Sequence, residues 1–251
     1  AHLASLESRV PFVHFFDGFR TSHSIQKIED LDYETLRSML DMKYVEEFRK
    51  VGLRPEDPMV KVGAQNPDVY FQGRETVNNY YEATPEIVRK YMKMFGKKTG
   101  RNYDLFEYIG APDAEKIVVG MGSGMDTVKE TVEHLVKKGE KVGAVFVHLY
   151  RPWSGEDLRK IIPESVKKIA VLDRTKEPGA PGEPLYLDIV QTLVGRNIEI
   201  IGGRYGLSSK EFTPAMVKAV YDHVDGAAFH DFTVGITDDL SKKSIPVKEN
   251  I

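Results

Sequence analysis

Past Pro112 the chain falls into one rhythm, and that rhythm leaves few folds open. Short runs rich in β-branched residues at Lys116 to Gly120, Lys141 to Leu149, Lys168 to Asp173 and Glu199 to Gly202 read as strands. Between and after them, Met125 to Lys138, Gly155 to Ile162, Gly182 to Val194 and Thr213 to His223 carry helical spacing. Strand and helix alternating over short connections predict an α/β fold, a mainly parallel sheet flanked by helices. In such a sheet the loops at the strand C-termini are where ligands or partners sit.

The first hundred residues read differently. AHLASLESRVPF has the pattern of a helix end running straight into a strand, as in a piece of something longer. Val10 to Phe16 is apolar, β-branched and aromatic, and closes on the turn signal Asp17-Gly18, which predicts a buried strand. Asp32 to Val51 is helical, with Leu36, Met39, Leu40, Tyr44, Val45 and Phe48 on one stripe. Arg54 to Asp68 carries Pro55, Pro58 and Pro67 and reads as irregular. Thr84-Pro85-Glu86 predicts a helix start, Thr84 capping and Pro85 in the first turn, with the helix running to about Lys97. A boundary falls in Gly100 to Pro112, dividing the chain into residues 1–108 and 109–251.

Composition narrows function more than fold. With 251 residues there is ample chain for a core. A net charge of -3 with both signs interspersed gives no basic stripe for nucleic acid. No apolar run approaches membrane-spanning length and the N-terminus has no signal pattern, so no membrane partner is expected and the compartment expected is the cytoplasm. The sequence has no cysteine, so it cannot ligate an iron-sulfur cluster through thiolates. Its seven histidines form no HExxH or other metal spacing, and there is no GxSxG for a serine nucleophile.

Three polar constellations stand out. Gly120-Met121-Gly122-Ser123-Gly124 follows a strand and opens a helix, the setting in which backbone amides approach a phosphate. It fails the dinucleotide fingerprint, because Met125 stands where the third glycine belongs, and a simple tight turn is the plainer reading. Asp173, Arg174, Lys176 and Glu177 could hold an anion or pair off as a salt-bridged loop, stiffened by the prolines and glycines that follow. Asp17, Arg20, Thr21 and His23, after the expected first strand, form either a polar site or a turn whose arginine pairs across a contact. Asp238-Asp239 reads as a solvated acidic pair.

Read in order, HFFDGFRTS from His14, LDRTKEPGAPGEPLYL from Leu172, GGRYGLSSKEFTP from Gly202 and VGITDD from Val234 resemble one family, the pyruvate:ferredoxin (flavodoxin) oxidoreductases. The resemblance runs from about Val10 to Pro246. It implies a thiamine-diphosphate enzyme of several domains, commonly homodimeric and at work in anaerobic metabolism. The whole enzyme would turn pyruvate and coenzyme A into acetyl-CoA and CO2, passing electrons through clusters to ferredoxin or flavodoxin. This chain would be the end of the first, pyrimidine-binding-type domain followed by the second, similar to the C-terminal domain of transketolase. The resemblance implies that thiamine diphosphate, Mg2+ and the 4Fe-4S clusters belong to the remaining domains, since the Gly-Asp-Gly signature is absent: Phe16 precedes Asp17-Gly18. One departure is Ser24, where an acid commonly follows the TSH of this loop. No catalytic residue is expected here, and the isolated chain is expected to be inactive. The rival reading is a stand-alone module that binds a small phosphorylated ligand at Gly120 to Gly124 or Arg174 to Lys176.

Overall fold

The computed structural model describes residues 1–60 and 63–249. These separate into two compact units, each discontinuous in sequence. The first comprises residues 1–15, 26–105 and 151–153; the second comprises 16–25, 106–150 and 154–251.

The first unit is helical. Helix α1 (His2–Ser8) packs on a long later helix, and a one-turn helix α2 (Arg20–His23) lies in the segment that belongs to the second unit. The stripe from Asp32 to Val51 is two helices, α3 (Tyr33–Met39) and α4 (Met42–Lys50), rather than one. The break comes at Asp41, which cannot both continue a helix and cap one: its carboxylate accepts from the Lys43 amide, as Asp32 accepts from Thr35 to open α3. Helix α5 (Pro67–Glu75) begins on a proline that the sequence reading left in an irregular stretch, two positions of which, 61 and 62, lie outside the described residues. The last helix of this unit, α6 (Asn78–Thr99), starts well before Thr84 and carries Pro85 in its interior. Thr84 is not a cap: its hydroxyl donates to the Tyr80 carbonyl at 2.7 Å, a bond within the helix.

Val10 to Phe16 is not a strand. Among the described residues no strand precedes Phe106, and Val13, Phe15 and Phe16 are 85%, 65% and 63% exposed. The run has strand composition but no neighbouring strand in its unit, and β propensity expresses itself only through pairing and packing.

The second unit is the α/β layer. Its strands are β1 (Phe106–Gly110), β2 (Lys116–Gly120), β3 (Val142–Val147), β4 (Lys168–Asp173), β5 (Glu199–Arg204), β6 (Phe232–Val234) and β7 (Ser244–Ile245). They form one sheet in the order β1-β3-β2-β4-β5-β6-β7. All neighbours are parallel except β1, which pairs antiparallel with β3 at the edge. Helices α7 (Gly124–Lys137), α8 (Gly155–Ile161), α9 (Pro184–Thr192) and α10 (Pro214–Asp225) complete the unit. The α/β class with a mainly parallel sheet is therefore the class the alternation implies.

The core lies under α7 and α10. Val128, Val132 and Leu135 recur along one face of α7 and meet Val118, Ala144, Ala170 and Leu172 of the sheet, all at most 1% exposed. Each valine or leucine among them contributes about 1.5–3 kcal/mol by leaving water. Tyr221 of α10, wholly buried, donates its hydroxyl to the Gly143 carbonyl at 2.7 Å, so its polar end is satisfied inside the core.

The chain leaves β2 for β3 on one side and returns to β4 on the other. The C-terminal ends of β2 and β4 are thus a topological switch point, where connections diverge to opposite faces and open a crevice.

Candidate functional site

Two loops meet at that switch point. Gly120 to Gly124 follows β2 and leads into α7; Arg174 to Glu183 follows β4 and leads into α9. The Gly122 backbone has φ 82°, a left-handed conformation that glycine adopts without strain. A Cβ there would stand 3.4 Å from a carboxylate oxygen of Asp17.

Asp17 is what occupies the crevice. One of its oxygens accepts from the Ser123 amide at 3.0 Å, and the other accepts from Arg174 Nη1 at 2.6 Å, from Thr21 Oγ1 at 2.7 Å and from Ser123 Oγ. Burial alone would raise the pKa of this carboxyl. The bonds from Ser123 and Thr21 outweigh it and hold Asp17 well below the usual carboxylate range. Arg174 is itself fixed, donating from Nε to the Gly206 carbonyl at 2.8 Å with its guanidinium 6.0 Å from the centre of the Tyr205 ring. A free anion at the head of α7 would require these same donors, so the carboxylate of the chain fills the seat that the glycine turn suggests for a phosphate.

The other residues singled out from sequence divide between two places. Arg20 reaches Glu211 at 2.9 Å on the surface, and His23 Nδ1 lies 2.6 Å from the Phe19 carbonyl within its own turn. Ser24, the departure from the family string, donates its hydroxyl to the Arg20 carbonyl at 2.9 Å. Asp173, at the end of β4, is 3% exposed and accepts from the Leu185 and Tyr186 amides, both at 3.1 Å, so it caps α9 across the proline-rich turn. Burial raises its pKa to about 6; those two amides oppose the shift, and Glu183 and Asp188 add to it.

Lys176 and Glu177 join a second cluster on the α9 face. Glu183 accepts from the Glu177 amide at 2.7 Å, from Arg204 Nη1 at 3.2 Å, and lies 3.5 Å from Lys176 Nζ. Asp231 pairs with Arg204 and with Lys243. Beside it, His230 accepts from the Gly202 amide at 3.0 Å through Nδ1, leaving Nε2 to donate to the Pro181 carbonyl at 3.0 Å. Glu183, Arg204, Asp231 and His230 escaped sequence reasoning as site residues. Glu183 and Arg204 lie in strings already marked as unusual, but nothing local says that they meet.

Among the described residues, no donor set matches the metal-containing cofactors implied for the whole enzyme. The sequence has no cysteine for a cluster. Among the described residues no group of three or more His, Asp or Glu could hold a metal ion. Both oxygens of Asp17 are engaged, and Asp239 accepts from the amides of Ser241, Lys243 and Ser244 at 2.9, 2.6 and 2.6 Å, closing a turn. Neither acid is available to a diphosphate-bound Mg2+.

Comparison with known proteins agrees along the chain. The family model described as pyruvate flavodoxin/ferredoxin oxidoreductase, thiamine diP-bdg matches residues 1–93, and that of pyruvate:ferredoxin oxidoreductase core domain II matches residues 114–217. Pyruvate:ferredoxin oxidoreductase of Moorella thermoacetica is 55% identical over 100% of this chain and 22% of its own length. Pyruvate-flavodoxin oxidoreductase of Trichormus variabilis is 54% identical over 96% of this chain and 21% of its own. A solved 2-oxoglutarate:ferredoxin oxidoreductase of Magnetococcus marinus gives a TM-score of 0.46 at 16% identity, over 68% of this chain and 27% of that one. The chain spans about a fifth of the length of the curated relatives it matches. Ordered strings, two successive family models and more than half of all residues shared with such relatives lead to one conclusion: this chain belongs to the pyruvate:ferredoxin/flavodoxin oxidoreductase family.

Proposed function

We propose that these residues work as part of an oxidoreductase that oxidises pyruvate with coenzyme A to acetyl-CoA and CO2 and passes two electrons to ferredoxin or flavodoxin. The carrying observation is the identity of 55% over the whole chain to a relative named for that activity. Within that enzyme this segment contributes scaffold and contacts to the remaining domains. Residues 1–108 would complete a pyrimidine-binding-type domain, and residues 109–251 would form the second domain.

The polar clusters support a structural part. Asp17, Arg174, Asp173 and Glu183 each spend their hydrogen-bonding capacity on partners within the second unit, and a catalytic acid or base needs a face free for substrate. Thiamine diphosphate, Mg2+ and the 4Fe-4S clusters would then be held by polypeptide beyond these residues, in a cytoplasmic and homodimeric enzyme. The acceptor would also be chosen elsewhere, because relatives named for ferredoxin and for flavodoxin are 55% and 54% identical to this segment. The surface functions proposed involve neither nucleic acid nor membrane; no helix among the described residues is long and apolar enough to cross a bilayer.

The test is anaerobic turnover with two proteins, the 251-residue chain and the full-length polypeptide that carries it. The expected result is coenzyme A-dependent reduction of ferredoxin or flavodoxin by pyruvate with the full-length protein alone. Turnover by the 251-residue chain, or a full-length protein inert toward pyruvate, would overturn the proposal.

A further inference from the structure

The segment 16–25 belongs to the second unit although the residues on both sides of it belong to the first. Its attachment is unusual for a packed element. Phe16 and Phe19 are 63% and 72% exposed and Ile25 is wholly exposed, so none of its large apolar side chains anchors it. Helix α2 is four residues long, too short to hold itself together. Phe19, which precedes it, sits at φ 54°, a left-handed conformation that costs a side-chain-bearing residue free energy. The Arg20–Glu211 pair is exposed on both sides and contributes little. What remains is Asp17, with both carboxylate oxygens bonded in the crevice to Ser123 and Arg174, and Thr21, whose hydroxyl is tied to the same carboxylate at 2.7 Å and lies 3.3 Å from Ser123 Oγ.

We propose that residues 16–25 form a releasable strap, pinned at the switch point of the sheet by the Asp17 carboxylate and able to leave as a unit while the sheet stays folded. Local strain favours release and the exposed apolar side chains do not resist it; the half-buried Asp17 bonds oppose it. The asymmetry is physical: removing the carboxylate deletes the bonds to the Ser123 amide and Arg174 and leaves the strap only the longer Thr21–Ser123 contact and the exposed Arg20–Glu211 pair, while the core cluster, which includes no residue of the strap, keeps all its side chains. Such local opening is the low-stability end of a native protein's range.

Amide hydrogen exchange on the 251-residue chain, comparing wild type with Asp17→Ala and Ser123→Ala, tests this. In Asp17→Ala the His23 and Ser24 amides, which bond the Phe19 and Arg20 carbonyls at 3.0 Å, should exchange about tenfold faster or more, with the amides of β2 and β4 unchanged. Ser123→Ala, which removes the hydroxyl but keeps the amide, should give a smaller rise confined to the same residues. Unchanged exchange at His23 and Ser24 in Asp17→Ala would overturn the strap, because something other than the carboxylate would then hold it. Equal acceleration in β2 and β4, or failure of Asp17→Ala to fold where Ser123→Ala folds, would overturn it as well, because Asp17 would then belong to the folding core.

Discussion

The two units are built on opposite balances of burial. The second carries a continuous apolar core from Val118 to Ile245, while the first, over residues 1–15, 26–105 and 151–153, buries Ala4, Val10, Met39, Val88, Tyr91 and Leu105 and little other large apolar surface. Val13, Ile28, Tyr33, Val60 and Phe71 of that unit are each at least 70% exposed, with Phe15 and Leu53 at 65% and 67%. The difference teaches that one unit buries its large apolar side chains against one another, whereas the other leaves many of its own exposed. Polar contacts take a larger share there: Glu7 accepts from Lys90 and Tyr91, both at 2.6 Å, and holds α1 to α6. Burial would raise the Glu7 pKa, but these bonds outweigh it and keep the carboxyl below its ordinary value.

The sharpest way to break this comparison is matched truncation. Leu172→Ala, in β4 at 1% exposure, should cost about 3–4 kcal/mol in chemical denaturation followed by a probe of the sheet. Phe71→Ala, at 70% exposure, should change stability by no more than ~0.5 kcal/mol. Similar losses at the two positions would end the contrast.

A pH titration of stability sharpens the second unit. Asp173 has a folded pKa of about 6 against 3.8 for its unfolded reference, so the folded state holds the proton more tightly between those values. Its contribution is present in full below pH 3.8 and is lost as pH rises through about 6, a change on the order of 3 kcal/mol. Asp173→Asn should flatten that part of the profile. Asp17 has the opposite sign: its pKa is depressed, so its contribution is present above 3.8 and lost as pH falls toward its folded pKa. A profile in which Asp173→Asn leaves the slope between those values untouched would contradict the assignment.

A smaller effect tests polar satisfaction inside the core. Tyr221→Phe leaves the Gly143 carbonyl without the hydroxyl that now donates to it at 2.7 Å, and should cost about 1–2 kcal/mol by thermal or urea unfolding. Tyr80→Phe, at 52% exposure in the first unit, should be close to neutral.

The same contrast governs what could be read in advance. The Lys116 to Gly120 and Lys168 to Asp173 runs are strands with those bounds because each is buried on both faces, and burial on both faces writes a continuous apolar run into sequence. Strands at or next to the edges leave a weaker trace: β1 shows no alternation in burial, and β6 and β7 have three and two residues, so pairing rather than composition defines them. Val10 to Phe16 misleads for the opposite reason, offering strand composition with no strand paired to it among the described residues. Thr84-Pro85 misleads because a helix start and an interior proline share one local signal until the preceding turn is seen. At the site, Asp17, Ser123 and Arg174 each lie in a stretch that stands out, yet the pairing of Asp17 with Arg174 spans 157 positions and is a property of the topology alone. A glycine turn before a helix signals that an anion belongs there; it does not say that the anion is the chain's own.

The most direct measurement is calorimetric titration of thiamine diphosphate with Mg2+ into the 251-residue chain. Residues 1–93 match a family model described by that cofactor, yet the described residues supply no metal-binding group and Asp17 is fully engaged. The expected result is no saturable heat at millimolar ligand, with the same preparation showing a cooperative unfolding transition as proof that it is folded. Saturable, Mg2+-dependent binding by this chain would contradict a scaffold assignment and place part of the reaction centre within it.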